Sequence, residues 1–246
     1  MKKTVIVTGG TRGIGAAISL KMARSGHKVF ALYARNRKAA ELLNQVADEE
    51  GLDIITLKGD LTHQEKFNNV ISSIKSKCSK VDILIHCAAS GVHREALDLT
   101  IKHFRWTFEI NVFSFHELMK ELVPMMSDGA RIIALTSAGG TKVIPFYTAV
   151  GSSKGALESL IRHYASELAP KGITANLLCP GMVETDAIKA FPDTDARLKK
   201  AIEKTPTKKL TTPEQVADWA FFLADHPAAS QLVGQTIVID GGQTLA

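Results

Sequence analysis

Seven short, β-branched apolar runs alternate with longer amphipathic stretches from one end of the chain to the other. The runs 5–7, 29–32, 54–57, 83–85, 131–135, 174–178 and 236–239 are bounded by Gly, Asp, Asn or Pro, as strands are. The stretches 14–25, 37–50, 64–77, 103–125, 150–168 and 213–224 carry helical periodicity. Alternation of this kind predicts an α/β fold: a doubly wound, seven-stranded parallel sheet with crossover helices on both faces. Parallel strands are buried on both faces, which accounts for runs that are apolar throughout rather than alternating. No linker, repeat or low-complexity tract divides residues 1–246, so one domain is expected. The segment 181–212, with Pro192 and Pro206 followed by Pro213 and many charges, reads as irregular. A connection of that length is often functional, so a substrate lid is expected at 184–212.

Composition narrows the class further. With 45% hydrophobic and 22% charged residues in 246, the chain has ample material for a core. Met1-Lys2-Lys3 followed by Thr4-Val5-Ile6-Val7 imitates the start of a signal peptide, but the apolar run ends at Thr8-Gly9-Gly10. No run approaches the ~18–20 apolar residues a membrane span needs, so no membrane insertion is expected. Cys78, Cys87 and Cys179 form no Cys-x-x-Cys pair, which points to neither a disulfide framework nor a metal site. A cytoplasmic protein is the expectation. The net charge of +5 comes with no basic tract or recognition motif, so nucleic acid is not an expected partner.

The first turn carries the clearest chemistry. A strand ends in Thr8-Gly9-Gly10-Thr11-Arg12-Gly13-Ile14-Gly15 and a helix begins near Ile14. Gly9 permits a tight turn, Gly13 permits close approach of backbone to a phosphate, and Gly15 permits close helix–strand packing. The helix start then offers N–H groups and the positive end of its dipole to an anion. This is the pattern of a dinucleotide-binding Rossmann fold. An acid at the end of the second strand would select NAD by bonding the ribose 2′-hydroxyl. Here that strand runs Leu32-Tyr33-Ala34-Arg35-Asn36-Arg37-Lys38, with no carboxylate before Glu41. Arg35, with Arg12 across the glycine turn and Arg37 or Lys38 nearby, suits a 2′-phosphate, because a guanidinium donates two parallel bonds. NADPH is the expected cofactor.

The spacing of these and later motifs resembles the short-chain dehydrogenase/reductase family over essentially the whole chain. The matching positions are Thr8-Gly9-x-x-x-Gly13-x-Gly15, Asp60 after the third strand, Asn111 in the fourth helix, Ser137 after the fifth strand, and Pro180-Gly181-x-x-x-Thr185 after the sixth. The resemblance implies that Asp60 contacts adenine and that Thr185 contacts the nicotinamide side. It adds Thr11, Ile14, Leu61, Ala88, Pro180, Gly181 and Val183 to the cofactor-binding set. The main branch of the family carries Tyr-x-x-x-Lys at its active site. Lys154 fits the lysine, but the residue four before it is Val150, which can neither donate nor accept a proton. Tyr147 stands seven before Lys154, and that wider spacing resembles enoyl-acyl carrier protein reductases. Ala88-Ala89-Ser90-Gly91, Trp106 and Phe191-Pro192 resemble the NADPH-dependent type III subgroup.

The resemblance implies reduction of a trans-2-enoyl thioester in fatty acid synthesis, with Tyr147, Lys154, Ser137 and Asn111 as the catalytic set. Tyr147 is expected just ahead of its helix, donating to the thioester oxygen. Val150 is expected to leave room above the nicotinamide. Lys154 is expected to hold the cofactor ribose and to lower the tyrosine pKa. His86 and Cys87 read as structural and inert. An acidic acyl carrier protein, or acyl-coenzyme A, is the expected partner, because 186–211 carries seven Lys/Arg against four Asp/Glu. A homotetramer is expected through the helices after Arg94 and Val150. Two other readings stand beside this one: a reductase of another carbonyl or conjugated substrate, and a catalytically silent NADP(H)-binding sensor or assembly protein.

Overall fold

The computed structural model describes residues 1–185 and 194–245. Seven parallel strands, β1 Thr4–Thr8, β2 Lys28–Tyr33, β3 Ile54–Lys58, β4 Ile83–His86, β5 Arg131–Leu135, β6 Thr174–Pro180 and β7 Thr236–Ile239, form one sheet. Their order is β3-β2-β1-β4-β5-β6-β7. The sheet therefore reverses its winding between β1 and β4, and a crevice opens there at the carboxyl ends of the strands. All seven expected strands form.

Side chains leave each strand alternately to two cores. Val5, Val7, Ile83 and Ile85 face α1 (Gly13–Arg24) and α8 (Pro213–Asp225), meeting Ile18, Met22, Val216 and Leu223. Ile6, Phe30, Leu84 and Ile132 face α3 (Gln64–Lys75), α5 (Ser114–Leu122) and α6 (Thr148–Leu168), meeting Phe67, Ile74, Phe115, Leu118 and Ile161. The α2 helix (Arg37–Glu50) starts at Asn36, whose side chain accepts from the Ala39 N–H at 3.0 Å, and ends at Gly51 in the left-handed region. Among the described residues, no helix is long and apolar enough to cross a membrane.

Two segments differ from the sequence reading. The single helix expected at 103–125 is a rod of three parts: α4 (Ile101–Phe108), a π-helical turn at Glu109–Phe113, and α5. The segment read as irregular contains a regular helix, α7 (Thr194–Lys204). Arg197, Lys199, Lys200 and Lys204 crowd this short helix and obscure the weak apolar face around Ala201. Of the expected lid, residues 186–193, including Phe191-Pro192, lie outside the described residues.

Candidate active site

The crevice holds a groove of about 770 Å³, floored by the ends of β1, β2, β4 and β5. Gly9, Thr11, Arg12, Gly13, Ile14 and Gly15 form its first wall. The glycines are there for steric reasons. Gly9 and Gly13 have φ of 63° and 51°, and a Cβ on Gly9 would sit 3.1 Å from the Ala88 backbone. A Cβ on Gly15 would collide with the Gly9 carbonyl. The residue before α1, Arg12, provides no side-chain cap, and the first turn contains no acid. The starts of α2, α4 and α8 are each capped by a side chain, from Asn36, Thr100 and Thr212. The α1 start thus presents its first N–H groups and dipole to the groove, where an anion stabilises both. This cradle fits the pyrophosphate of a dinucleotide.

At the far end of β2, Arg35 lines the groove with Tyr33, Ala34 and Asn36. Arg12 and Arg35 are exposed, and no salt bridge engages either among the described residues. Arg37, by contrast, is bound to Glu41 one helical turn on, Nε to Oε1 2.7 Å. Leu61, Ala88 and Thr185 also line the groove. Asp60 flanks it, but its carboxylate accepts from the Thr62 N–H at 3.1 Å and the Thr62 hydroxyl at 2.7 Å. Pro180, Gly181 and Val183, expected to bind the cofactor, do not line the groove. A Cβ on Gly181 would meet Asp240 at 2.9 Å, and Val183 forms an isolated bridge with Thr211. Sequence reasoning overlooked Glu184, Ile110 and Ser114, which also line the groove. Only Glu184 had a visible signal, as a carboxylate beside Thr185.

None of Tyr147, Lys154, Ser137 and Asn111 lines the groove itself; Tyr147 and Ser137 stand together at the start of α6, and Lys154 and Ser153, the partner of Asn111, sit on its first two turns. Tyr147 is the residue just before that helix. Its hydroxyl stands near that of Ser137, which favours the phenolate, but burial outweighs this and pushes its pKa up. The expected lowering by Lys154 does not occur: beside Ser137, the group that acts on Tyr147 is the Cys179 thiol, itself protonated at neutral pH, and it raises the tyrosine. Lys154 is buried, and its Nζ donates to the Leu135 carbonyl at 2.7 Å, behind the groove floor. Burial brings its pKa down to about 8, against the opposing pull of Cys87, Glu158 and Cys179.

Asn111 is fully buried at the π-helical turn. Its Oδ1 accepts from the Ser90 N–H at 2.9 Å. Its Nδ2 donates to the Ser90 carbonyl at 3.0 Å and to the Ser153 hydroxyl at 2.9 Å. It therefore ties the loop after β4 to α6. Val150 packs on the Gly91 backbone, where an added Cβ would collide with a Val150 methyl and come within 3.2 Å of Thr107.

His86 is buried at the end of β4, with Nδ1 3.0 Å from the Thr8 hydroxyl, which in turn accepts from the Ala88 N–H at 3.0 Å. Burial lowers its pKa to about 3, so the ring is neutral. Burial also raises Cys87 to about 12, which leaves no thiolate.

The geometry and the chain's relatives agree on the class. A family model described as enoyl-(acyl carrier protein) reductase matches residues 9–244. The chain belongs to the short-chain dehydrogenase/reductase family. Relatives within it carry out different reactions. A 1-cyclohexenylcarbonyl-CoA reductase of Streptomyces collinus is 28% identical, over 99% of this chain and 88% of that protein. A 7alpha-hydroxysteroid dehydrogenase of Escherichia coli K12 is 32% identical, over 98% and 93%. The crystal structure of an NADH enoyl-[acyl-carrier-protein] reductase from Aquifex aeolicus superimposes with a TM-score of 0.90 at 27% identity, covering 99% of this chain and 97% of that one.

Proposed function

We propose that this oxidoreductase reduces the conjugated double bond of a trans-2-enoyl thioester, with NADPH as the reductant. The observation that carries the reading is the position of the phenol. The site has no proton donor at position 150, and the Tyr147 hydroxyl stands beside Ser137, seven residues ahead of Lys154. Ketone-reducing members of the family place their tyrosine where Val150 packs on Gly91. The matching family model, the cyclohexenylcarbonyl-CoA reductase and the Aquifex structure all favour a conjugated acyl substrate.

A nicotinamide held in the groove would supply the hydride for the β-carbon, and solvent the proton that completes the α-carbon. The chain's own residues hold and polarise the substrate. Negative charge gathers on the thioester oxygen, and the Tyr147 hydroxyl donates to it. A raised pKa keeps that hydroxyl protonated at neutral pH, so it acts as a donor rather than a base. Ser137 fixes the direction of the phenol. Lys154, held at the end of β5, provides a ribose contact and a nearby positive charge. The α1 start holds the pyrophosphate, and Arg12 and Arg35 hold the 2′-phosphate.

The thioester is carried on acyl carrier protein or coenzyme A, and α7, with Arg197, Lys199, Lys200 and Lys204 against Asp195 and Glu203, offers a basic rim to either. Exposed Leu97, Ile101 and Phe113 on and beside α4 supply the apolar face of a homotetramer. The test is oxidation of NADPH with a crotonyl thioester beside a ketoacyl thioester. Tyr147→Phe lowers turnover of the enoyl substrate about 10²–10³-fold, as loss of one oxyanion donor does, with NADPH affinity unchanged. Preference for the ketoacyl thioester, or full activity in Tyr147→Phe, overturns the reading.

A further inference from the structure

Tyr147 stands one residue ahead of α6, so helix geometry does not fix its side chain as it fixes that of Lys154. It follows Phe146, whose φ of 65° is a left-handed conformation that a bulky residue adopts only under constraint. The constraint comes from distant segments. Arg94, in the loop after β4, forms an isolated parallel bridge with Tyr147. One residue earlier, the His93 ring packs on the Tyr147 ring, with centroids 5.7 Å apart and planes at 31°. Elsewhere the phenol abuts bare backbone: a Cβ on Gly139 would lie 2.5 Å from its Cδ1, and one on Gly151 3.5 Å away. Arg197 of α7 covers the Phe146 ring, 5.7 Å from its centroid. His93, Arg94 and Phe146 line a second cavity, of about 570 Å³, outside the cofactor groove.

We infer that His93 is a positioning residue that acts through Tyr147, holding the phenol against the Gly139 and Gly151 backbone so that its hydroxyl meets Ser137 and the substrate oxygen. The inference rests on the role given to Tyr147 above. A tyrosine at position 150 would be restrained by α6 itself. At position 147 that restraint is missing, and a flat ring packed against the phenol replaces it. Burial and the nearby Arg197 guanidinium both disfavour the imidazolium, so His93 packs as an uncharged plate.

The test compares His93→Ala and His93→Phe in the full chain by two readouts. The first is the tyrosinate absorbance of Tyr147, taken as the difference from a Tyr147→Phe partner in each background. The groups bearing on that titration are Ser137 and Cys179 of β6; His93 packs on the ring, Arg94 bridges its backbone, and Arg197 lies over the neighbouring Phe146. His93→Ala admits water to the phenol and moves the midpoint down toward the ordinary tyrosine value, whereas His93→Phe leaves it in place. The second readout is turnover of the enoyl thioester. His93→Ala lowers kcat about 10–100-fold, as a misplaced reacting group does, with the KM for NADPH within about twofold. His93→Phe restores most of the loss, which a purely structural defect or a proton-transfer role would not allow. Unchanged titration and kcat in His93→Ala, or equal damage from Ala and Phe, overturns the inference. If the enoyl thioester proves not to be the substrate, the titration still decides the role of His93.

Discussion

Removing both groove arginines tests the cofactor assignment quantitatively. Arg12 and Arg35 line the same groove from separate segments, exposed and in no salt bridge among the described residues. A charge-assisted hydrogen bond is worth ~1.5–3 kcal/mol, and exposure in solvent argues for the lower end. At ~1.4 kcal/mol per decade, each arginine accounts for about tenfold of the preference for NADPH over NADH, and the pair for about a hundredfold if they act independently. The assay is the ratio of kcat/KM for the two cofactors at fixed ionic strength. Arg12→Ala and Arg35→Ala each lower the ratio about tenfold, and the double variant brings it near unity. Raising salt lowers the wild-type ratio as well, because exposed charges are screened. Arg37→Ala is the control, since that guanidinium is already engaged by Glu41. A double variant that keeps the wild-type ratio, or a wild-type chain that uses both cofactors equally, would refute the reasoning.

Other outcomes follow from the inner site. The lowered pKa of Lys154 means that its charge is lost as pH rises through about 8, so NADPH affinity, followed by fluorescence, weakens across that pH. Lys154→Met binds more weakly and shows no such limb. Stability runs the other way. The unfolded lysine keeps its proton up to its ordinary value of 10.5, so between about 8 and 10.5 the unfolded chain binds more protons and wild-type stability rises with pH. Denaturant titrations at pH 7 and 9.5 read that difference. Gly91→Ala forces a methyl into Val150 and destabilises by ~1–3 kcal/mol; combining it with Val150→Ala recovers part of the loss, measurable as a double-mutant cycle. Val150→Tyr puts a ring where Gly91 already fills the space, so it loses enoyl reduction without gaining ketone reduction. Sedimentation is expected to give a mass near four times 26.6 kDa.

What the sequence disclosed depended on how local the signal was. The seven strands and the glycine turn were legible because each depends on neighbours within a few residues: a β-branched run such as Ile83–His86, or Gly9, Gly13 and Gly15 in one turn. The place of Tyr147 just ahead of its helix was legible from its interval to Lys154 and from Pro145 before it. The helix Thr194–Lys204 was hidden because burial on its apolar side falls mainly to Ala201, too little for a periodic signal. His93 was hidden for another reason. Its partner Tyr147 lies far along the chain, and nothing in Gly91-Val92-His93-Arg94 announces a contact that only the folded loops create. The packing of Gly91 on Val150 was hidden in the same way, since it joins a helix to a loop far away in the chain.

Asn111 offers the Ser90 backbone one acceptor and one donor, as a neighbouring strand would, and it does so from a turn wound one residue looser than an α-helix. The rod from Ile101 to Leu122 therefore has a phase as well as a length. Deleting a single residue within 109–113 would let the turn close as regular helix, and four residues would then sweep nearly the angle that five sweep in the looser winding. Phe115 and Leu118 would stay anchored in the core, and α4 would keep its exposed Ile101 face and the Trp106 that lines the groove. Such a deletion variant is expected to fold and to retain its sheet, but to lose the pairing of Asn111 with the Ser90 backbone. The looser turn is where the rod is held to the loop after β4.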